Sequence, residues 1–270
     1  MGDTDPILEW SKAVGNFRDL VTEIGDWSID SPCPGWTIAD LVSHGIDLES
    51  MLAADPRPDH VPDWTTLPHV TSDFGRFTEM GVDLRRGRSQ QDLLNELAAT
   101  HERARGRVEA LGVDATIPWL RGDTPIVTVI GMRTFDTWVH EQDARVAVGS
   151  HGNLTGPGAA NASAFLTGGL PKIWGRKVGA PAGAVLEVII DEPGLTGRHR
   201  IRMDDDGARA SFVASVEPDG YADVEVTMPW LTFVMLGSGR SVSGGLRDTV
   251  AIRGDATLGR AFIEAMAVTP

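Results

Sequence analysis

The sequence predicts a two-domain protein of the α + α/β kind, with an N-terminal four-helix bundle over residues 1–150 and a smaller C-terminal α+β domain over 151–270. Three observations predict it. Helical apolar spacing recurs in long segments of the first half, a Gly-rich and weakly patterned stretch runs from Ser150 to Ala160, and alternating β-like segments follow that stretch.

The first helix is expected from Asp5 to about Trp27, where Ile7, Leu8, Ala13, Phe17, Leu20, Val21 and Ile24 recur at three- and four-residue spacing. Ser31-Pro-Cys-Pro-Gly-Trp36 breaks it. Thr37 with Asp40 three residues on resembles a capping box and opens a second helix to about Ala54. The Pro- and Asp-rich stretch from Asp55 to Pro68 reads as a loop, with His60 and His69 in or beside it as solvated side chains. A short helix fits Val70 to Leu84. Ser89 to Leu111 is a clear helix, opened by Ser89 and Asp92 and closed by Gly112. Its run HERARGR, which contains His101, reads as a solvated face. Pro125 to Gly149 completes the four long helices.

Beyond the boundary, a helix is expected from about Ala159 to Trp174. Strands are expected at Ala184–Ile190, His199–Met203, Ala208–Ser215 and Ala222–Met228, and closing helices near Trp230–Leu236 and Leu258–Met266.

Composition narrows the function classes. A hydrophobic fraction of 41% with 23% charged residues is that of a globular chain able to bury a core. The net charge of -14 argues against nucleic-acid binding, because neutralising phosphates needs basic surface. A single cysteine, Cys33, excludes an intramolecular disulfide framework. It sits between two prolines ahead of the second helix and is not expected to be a nucleophile. The N-terminus lacks the basic segment and apolar run of a signal peptide, and no stretch approaches a membrane span, so the expected location is cytoplasmic with no membrane partner. GDATLG and GSGRSVSGG are glycine-containing turns that form neither a Walker nor a dinucleotide fingerprint.

The chemistry concentrates in Met132–Gly149, MRTFDTWVHEQDARVAVG. On a helix, Asp136 and His140 are four residues apart and stack on one face, with Val129 and Ala147 on it and Met132, Val139 and Val146 flanking it. Thr134, Thr137, Glu141 and Arg145 gather on the opposite side. On the second helix His44 shares a side with Leu41, Leu48 and Met51. Two inward imidazoles and a carboxylate match a divalent metal site, zinc first, with three protein ligands and an open position. On spacing alone, a buried His–Asp hydrogen bond without metal also stands. Arg133 and Asp143 extend the inward stripe one turn either side of the pair, where they would hydrogen-bond a ligand, contact a cofactor or form interhelical ion pairs.

PCPGWTIADLVSHGIDLE, then MRTFDTWVHEQDARVAVG, then LGSGR and RGDATLG resemble in order and separation the mycothiol-dependent maleylpyruvate isomerase family, within the DinB-like metalloenzymes. The resemblance covers the whole chain. It implies a DinB-like metal-binding bundle and a sterol-carrier-like C-terminal domain. It also implies metal ligands at His44, Asp136 and His140, and mycothiol as a low-molecular-weight thiol cofactor beside the metal. Asp136 is a departure, because the family commonly has Glu there.

On this resemblance His44 and Arg240 are the expected catalytic residues, Arg240 being placed to bind a substrate carboxylate or, equally, to fix a loop. Arg133 and Asp143 are the expected cofactor-binding residues. The implied activity is thiolate attack on a small electrophilic substrate in an isomerase, in a monomer or homodimer. A mycothiol S-transferase is the alternative. A non-catalytic protein that binds a small apolar ligand is the alternative of another class.

Overall fold

The computed structural model describes residues 5–120, 122–213, 222–240 and 245–269. Contacts divide the chain into two units, Met1–Gly152 and Asn153–Pro270.

In the first unit, α1 (Pro6–Glu23) starts where Asp5 accepts a hydrogen bond from the Ile7 amide and Pro6 supplies a preset φ. The second helix, α2 (Ile38–Leu52), is opened by the full capping box of Thr37 and Asp40. Next come α3 (Asp73–Asp83) and α4 (Gln90–Leu111), the latter capped by Ser89 and stopped at Gly112. The stretch between α4 and the next helix is a hairpin of β1 (Thr116–Trp119) and β2 (Gly122–Pro125), which the sequence reading lacks. The last helix of the unit, α5 (Ile126–Val148), ends at Gly149 in the left-handed conformation. Within the unit α1 packs on α5 and α4, and α2 packs on α4, α3 and α5. Trp10, Phe17, Leu41, Ile46, Leu97 and Ile130 fill the space between these helices.

Two expectations about this unit are corrected. His101 is buried, not solvated, because its Nδ1 reaches the carboxylate of Glu49 at 3.0 Å. The side of α5 opposite the Asp136–His140 pair is buried as well. Thr134, Thr137 and Glu141 tolerate this because each is satisfied locally: Thr134 donates to the Ile130 carbonyl, Thr137 accepts from Arg133, and Glu141 accepts from Arg145. The loop histidines are also engaged, His60 with Asp83 at 2.7 Å and His69 with Glu79 at 3.1 Å.

The second unit begins with α6 (Pro157–Gly168) and α7 (Leu170–Lys172), which runs on as a π-helical turn to Val178, so the single expected helix is broken near the Gly168–Gly169 pair. A sheet follows, with described strands β3 (Val185–Asp191), β4 (Gly197–Met203), β5 (Ala210–Phe212), β6 (Val224–Pro229) and β7 (Ala251–Gly254) in the order β5-β4-β3-β6-β7. β3 and β6 are parallel and the other pairs antiparallel. The register sets Leu186, Val188 and Ile190 beside Val224, Val226 and Met228, one continuous apolar face. Residues 214 and 215 of the expected third strand lie outside the described residues. β7 escaped the sequence reading because AIRG is short and polar. The remaining helices are α8 (Trp230–Gly237) and α9 (Ala256–Ala265). α9 docks on β6 and β7 with Gly259 against Ile252. No described helix is long and apolar enough to cross a membrane.

Candidate metal centre

His44 lies in the second turn of α2, and Asp136 and His140 lie in the middle of α5. The packing of α2 against α5 brings His44 Nε2 to 3.5 Å from Asp136 Oδ2, while His140 Nε2 stands 3.6 Å from Asp136 Oδ1. One donor atom from each residue falls within 4.8 Å of the others. Among the described residues this is the one such group. The two imidazoles are buried, while the Asp136 side chain keeps 28% exposure, an opening on one side of the group.

The contacts to Asp136 are too long for well-made hydrogen bonds. Each is about the separation of two donors on one tetrahedral zinc, roughly 3.3–3.6 Å for bonds of about 2.0–2.2 Å, although the two contacts use different oxygens of Asp136. His44 Nδ1 is buried without a hydrogen-bond partner, so neither nitrogen of this ring is well satisfied by protein, and an ion at Nε2 would complete one of them. His140 is prepared differently: its Nδ1 sits 3.0 Å from Asp143, a fully buried carboxylate, which turns Nε2 toward Asp136. The residues present therefore fit a divalent cation.

Around this group the protein supplies fixed charge and aromatic walls. Arg133 is buried and donates from Nη1 to Asp136 Oδ2 at 2.6 Å. Its other edge faces Glu49, with Nε and Nη2 each 3.1 Å from Oε1. Trp36 packs its indole 4.9 Å from the His44 ring and 5.9 Å from the His140 ring, and its Nε1 donates to Glu79 at 2.8 Å. A small cavity of about 10 Å³, room for about one water, lies among Gly45, Glu49, Leu97, Arg133, Asp136 and His140.

Electrostatics follow from these neighbours. Burial alone would raise the Asp136 carboxyl, but the His44 and His140 imidazoles hold it well below the usual carboxylate range. Burial lowers His44 below the ordinary imidazole value, against the attraction of Asp136, and so favours the neutral ring that a metal requires.

Of the residues singled out in the sequence, His44, Asp136 and His140 come together, with Arg133 and Asp143 each hydrogen-bonded to one of them. Arg240 lies in the second unit just past α8, where its Nη1 donates to the Ser238 carbonyl at 2.7 Å. Sequence reasoning missed Glu49, Trp10, His101 and the Trp36 wall. Glu49 follows His44 by five residues, which is no helical-face signal, and its partners come from three other helices.

The arrangement is that of a helical bundle gathering a His, Asp, His group from two of its helices. The chain belongs to the family of the mycothiol maleylpyruvate isomerase N-terminal domain, whose profile matches residues 10–145. Among solved structures it is similar to a histidine-to-alanine mutant of the mycothiol-dependent maleylpyruvate isomerase, at 14% identity and a TM-score of 0.56 over 92% of this chain and 91% of that one. It is similar also to a structure of that isomerase without the mutation, at 15% identity and a TM-score of 0.52 over the same shares. These likenesses establish the fold. No curated protein sequence matches the chain.

Proposed function

We propose that the chain is a divalent-metal- and mycothiol-dependent enzyme acting on a small electrophile, with maleylpyruvate isomerisation as its reaction and His44, Asp136 and His140 as its metal ligands. The observation that carries this reading is the convergence of two imidazole Nε2 atoms on opposite oxygens of one partly exposed carboxylate. Thiol and substrate come from family membership and from the names of the similar structures. A divalent ion in such a site, zinc being favoured by two nitrogens and an oxygen, supplies an open position at which a thiol loses its proton near neutral pH.

The protein's own residues prepare that position. His44 presents a ring whose neutral form burial favours, Asp143 orients His140 through Nδ1, and Asp136 contributes the negative charge. Trp36 closes one side against water and holds both rings in place. In this reading Arg133 and Asp143 act through the ligands they hold. Arg240 has the role of meeting a substrate carboxylate, and Arg240→Ala would raise KM more than it lowers kcat. In this reading the metal work falls to domain 1–150.

The test is to incubate metal-loaded protein with mycothiol and maleylpyruvate, and separately with mycothiol and a generic electrophile. Formation of fumarylpyruvate without thiol consumption is expected. A stoichiometric thioether instead makes the protein an S-transferase. Rates no higher than the uncatalysed ones in both arms, with an apolar ligand bound by the second unit, would replace the enzyme reading by a binding protein.

A further inference from the structure

Glu49 is fully buried on α2, and every group that meets it is a donor. Trp10 Nε1 lies 3.1 Å from Oε1, His101 Nδ1 lies 3.0 Å from Oε2, and Arg133 Nε and Nη2 lie 3.1 Å from Oε1. The same guanidinium reaches Asp136 Oδ2 through Nη1 at 2.6 Å. Arg133 thus lies between two carboxylates, one facing the interior of the bundle and the other facing the metal position.

That position creates an electrostatic problem. A full positive charge in contact with Asp136 offsets the one anionic ligand of the group and opposes a divalent cation beside it, in surroundings where water screens little. Arg133 and Asp136 alone sum to zero. With Glu49 the three sum to minus one. Solvent cannot supply that charge, because neither Glu49 nor Arg133 is accessible to it. Glu49, Arg133, Asp136 and His140 border one small cavity.

We infer that Glu49 is a positioning residue for the metal site: it cancels the charge of Arg133 and holds the planar guanidinium, so that Asp136 keeps both its charge and its place for a cation. The rigid fork makes the coupling geometric as well, since the edge bound to Glu49 fixes the direction of the nitrogen that holds Asp136. The inference rests on the metal reading proposed above, and adds a residue one layer further from the ion.

The experiment measures zinc and cobalt affinity by chelator competition at pH 8, together with melting temperature, for four proteins. Glu49→Gln keeps the size but removes the charge, and should weaken metal binding by about tenfold or more. Trp10→Phe removes one donor to Glu49 but no charge, and should stay within about threefold of wild type even where stability falls. The double variant Glu49→Gln/Arg133→Gln removes both charges together and should recover about half or more of the loss on a logarithmic scale. Equal losses in Glu49→Gln and Trp10→Phe, unchanged affinity in Glu49→Gln, or no recovery in the double variant would overturn the inference. If Glu49→Gln does not fold, the double variant decides alone: affinity within about tenfold of wild type supports the inference and a larger loss overturns it. A wild type that takes up no metal overturns the metal reading and this inference with it, whereas a metal-binding wild type with unaffected variants overturns the inference only.

Discussion

Asp143 holds Nδ1 of His140 at 3.0 Å, and both side chains are buried on consecutive turns of α5. The contact fixes which nitrogen carries the hydrogen and turns Nε2 toward Asp136. Asp143→Asn preserves shape, but the amide can then present its NH₂ to Nδ1 and stabilise the opposite tautomer. Metal affinity is expected to fall about 10–100-fold with the helical circular dichroism unchanged. Unchanged affinity by chelator competition would remove Asp143 from the site.

Asp136 faces three groups at once, and its two oxygens divide the work. Oδ2 is held by Arg133 while Oδ1 faces His140. Asp136→Asn removes the anionic donor at nearly constant volume, so metal uptake should drop to below about a tenth of an equivalent. Asp136→Glu lengthens the arm by one carbon but keeps the anionic donor, and uptake should be kept. Metal analysis after reconstitution reads both outcomes.

The contrast between Asp136 and Glu49 shows how far the sequence could be read. Asp136 and His140 are legible because i, i+4 spacing fixes their relation on one helix, and His44 is legible because its own helix is amphipathic and capped by Thr37 and Asp40. Helix ends follow from Asp5, Ser89, Gly112 and Gly149, whose local chemistry is independent of tertiary context. Glu49 and His101 were not legible, because each looks solvated in its own segment and becomes buried only when α2, α4 and α5 meet. The β1–β2 hairpin was missed for a related reason: Thr116–Trp119 and Gly122–Pro125 are too short to show alternation.

Glu49 also makes a pH prediction for the metal-free protein. Burial alone would raise its carboxyl, but the hydrogen bond from His101 and the charge of Arg133 hold it below the ordinary value of 4.5. The unfolded chain therefore takes up this proton first as pH falls. The contribution is complete above about pH 4.5 and is lost as pH drops through the lower folded-state value. Asp136, held well below 3.8, extends the loss to lower pH. Melting temperature should fall steadily below about pH 4.5, and Glu49→Gln, less stable at pH 7, should fall less steeply over that range. Parallel curves for the two proteins would contradict the assignment.

Gly81 allows α3 to approach α2 closely. A Cβ built there would lie 2.1 Å from Cγ of Asp47, which is itself buried and bound to Arg57 at 2.6 Å. Gly81→Ala must therefore push α3 away from the helix that carries His44, and should cost about 1–3 kcal/mol of stability as overpacking does. Gly15 in α1 supplies the control, since nothing lies within 4 Å of its added Cβ. There, replacement by Ala should stabilise by roughly 0.5–1 kcal/mol through backbone entropy alone. Urea unfolding distinguishes the two sites: the midpoint should fall for Gly81→Ala and rise for Gly15→Ala, with the slope unchanged in both. A midpoint that rises in both would mean that Asp47 moves aside freely and that the α2–α3 approach does not depend on the missing Cβ.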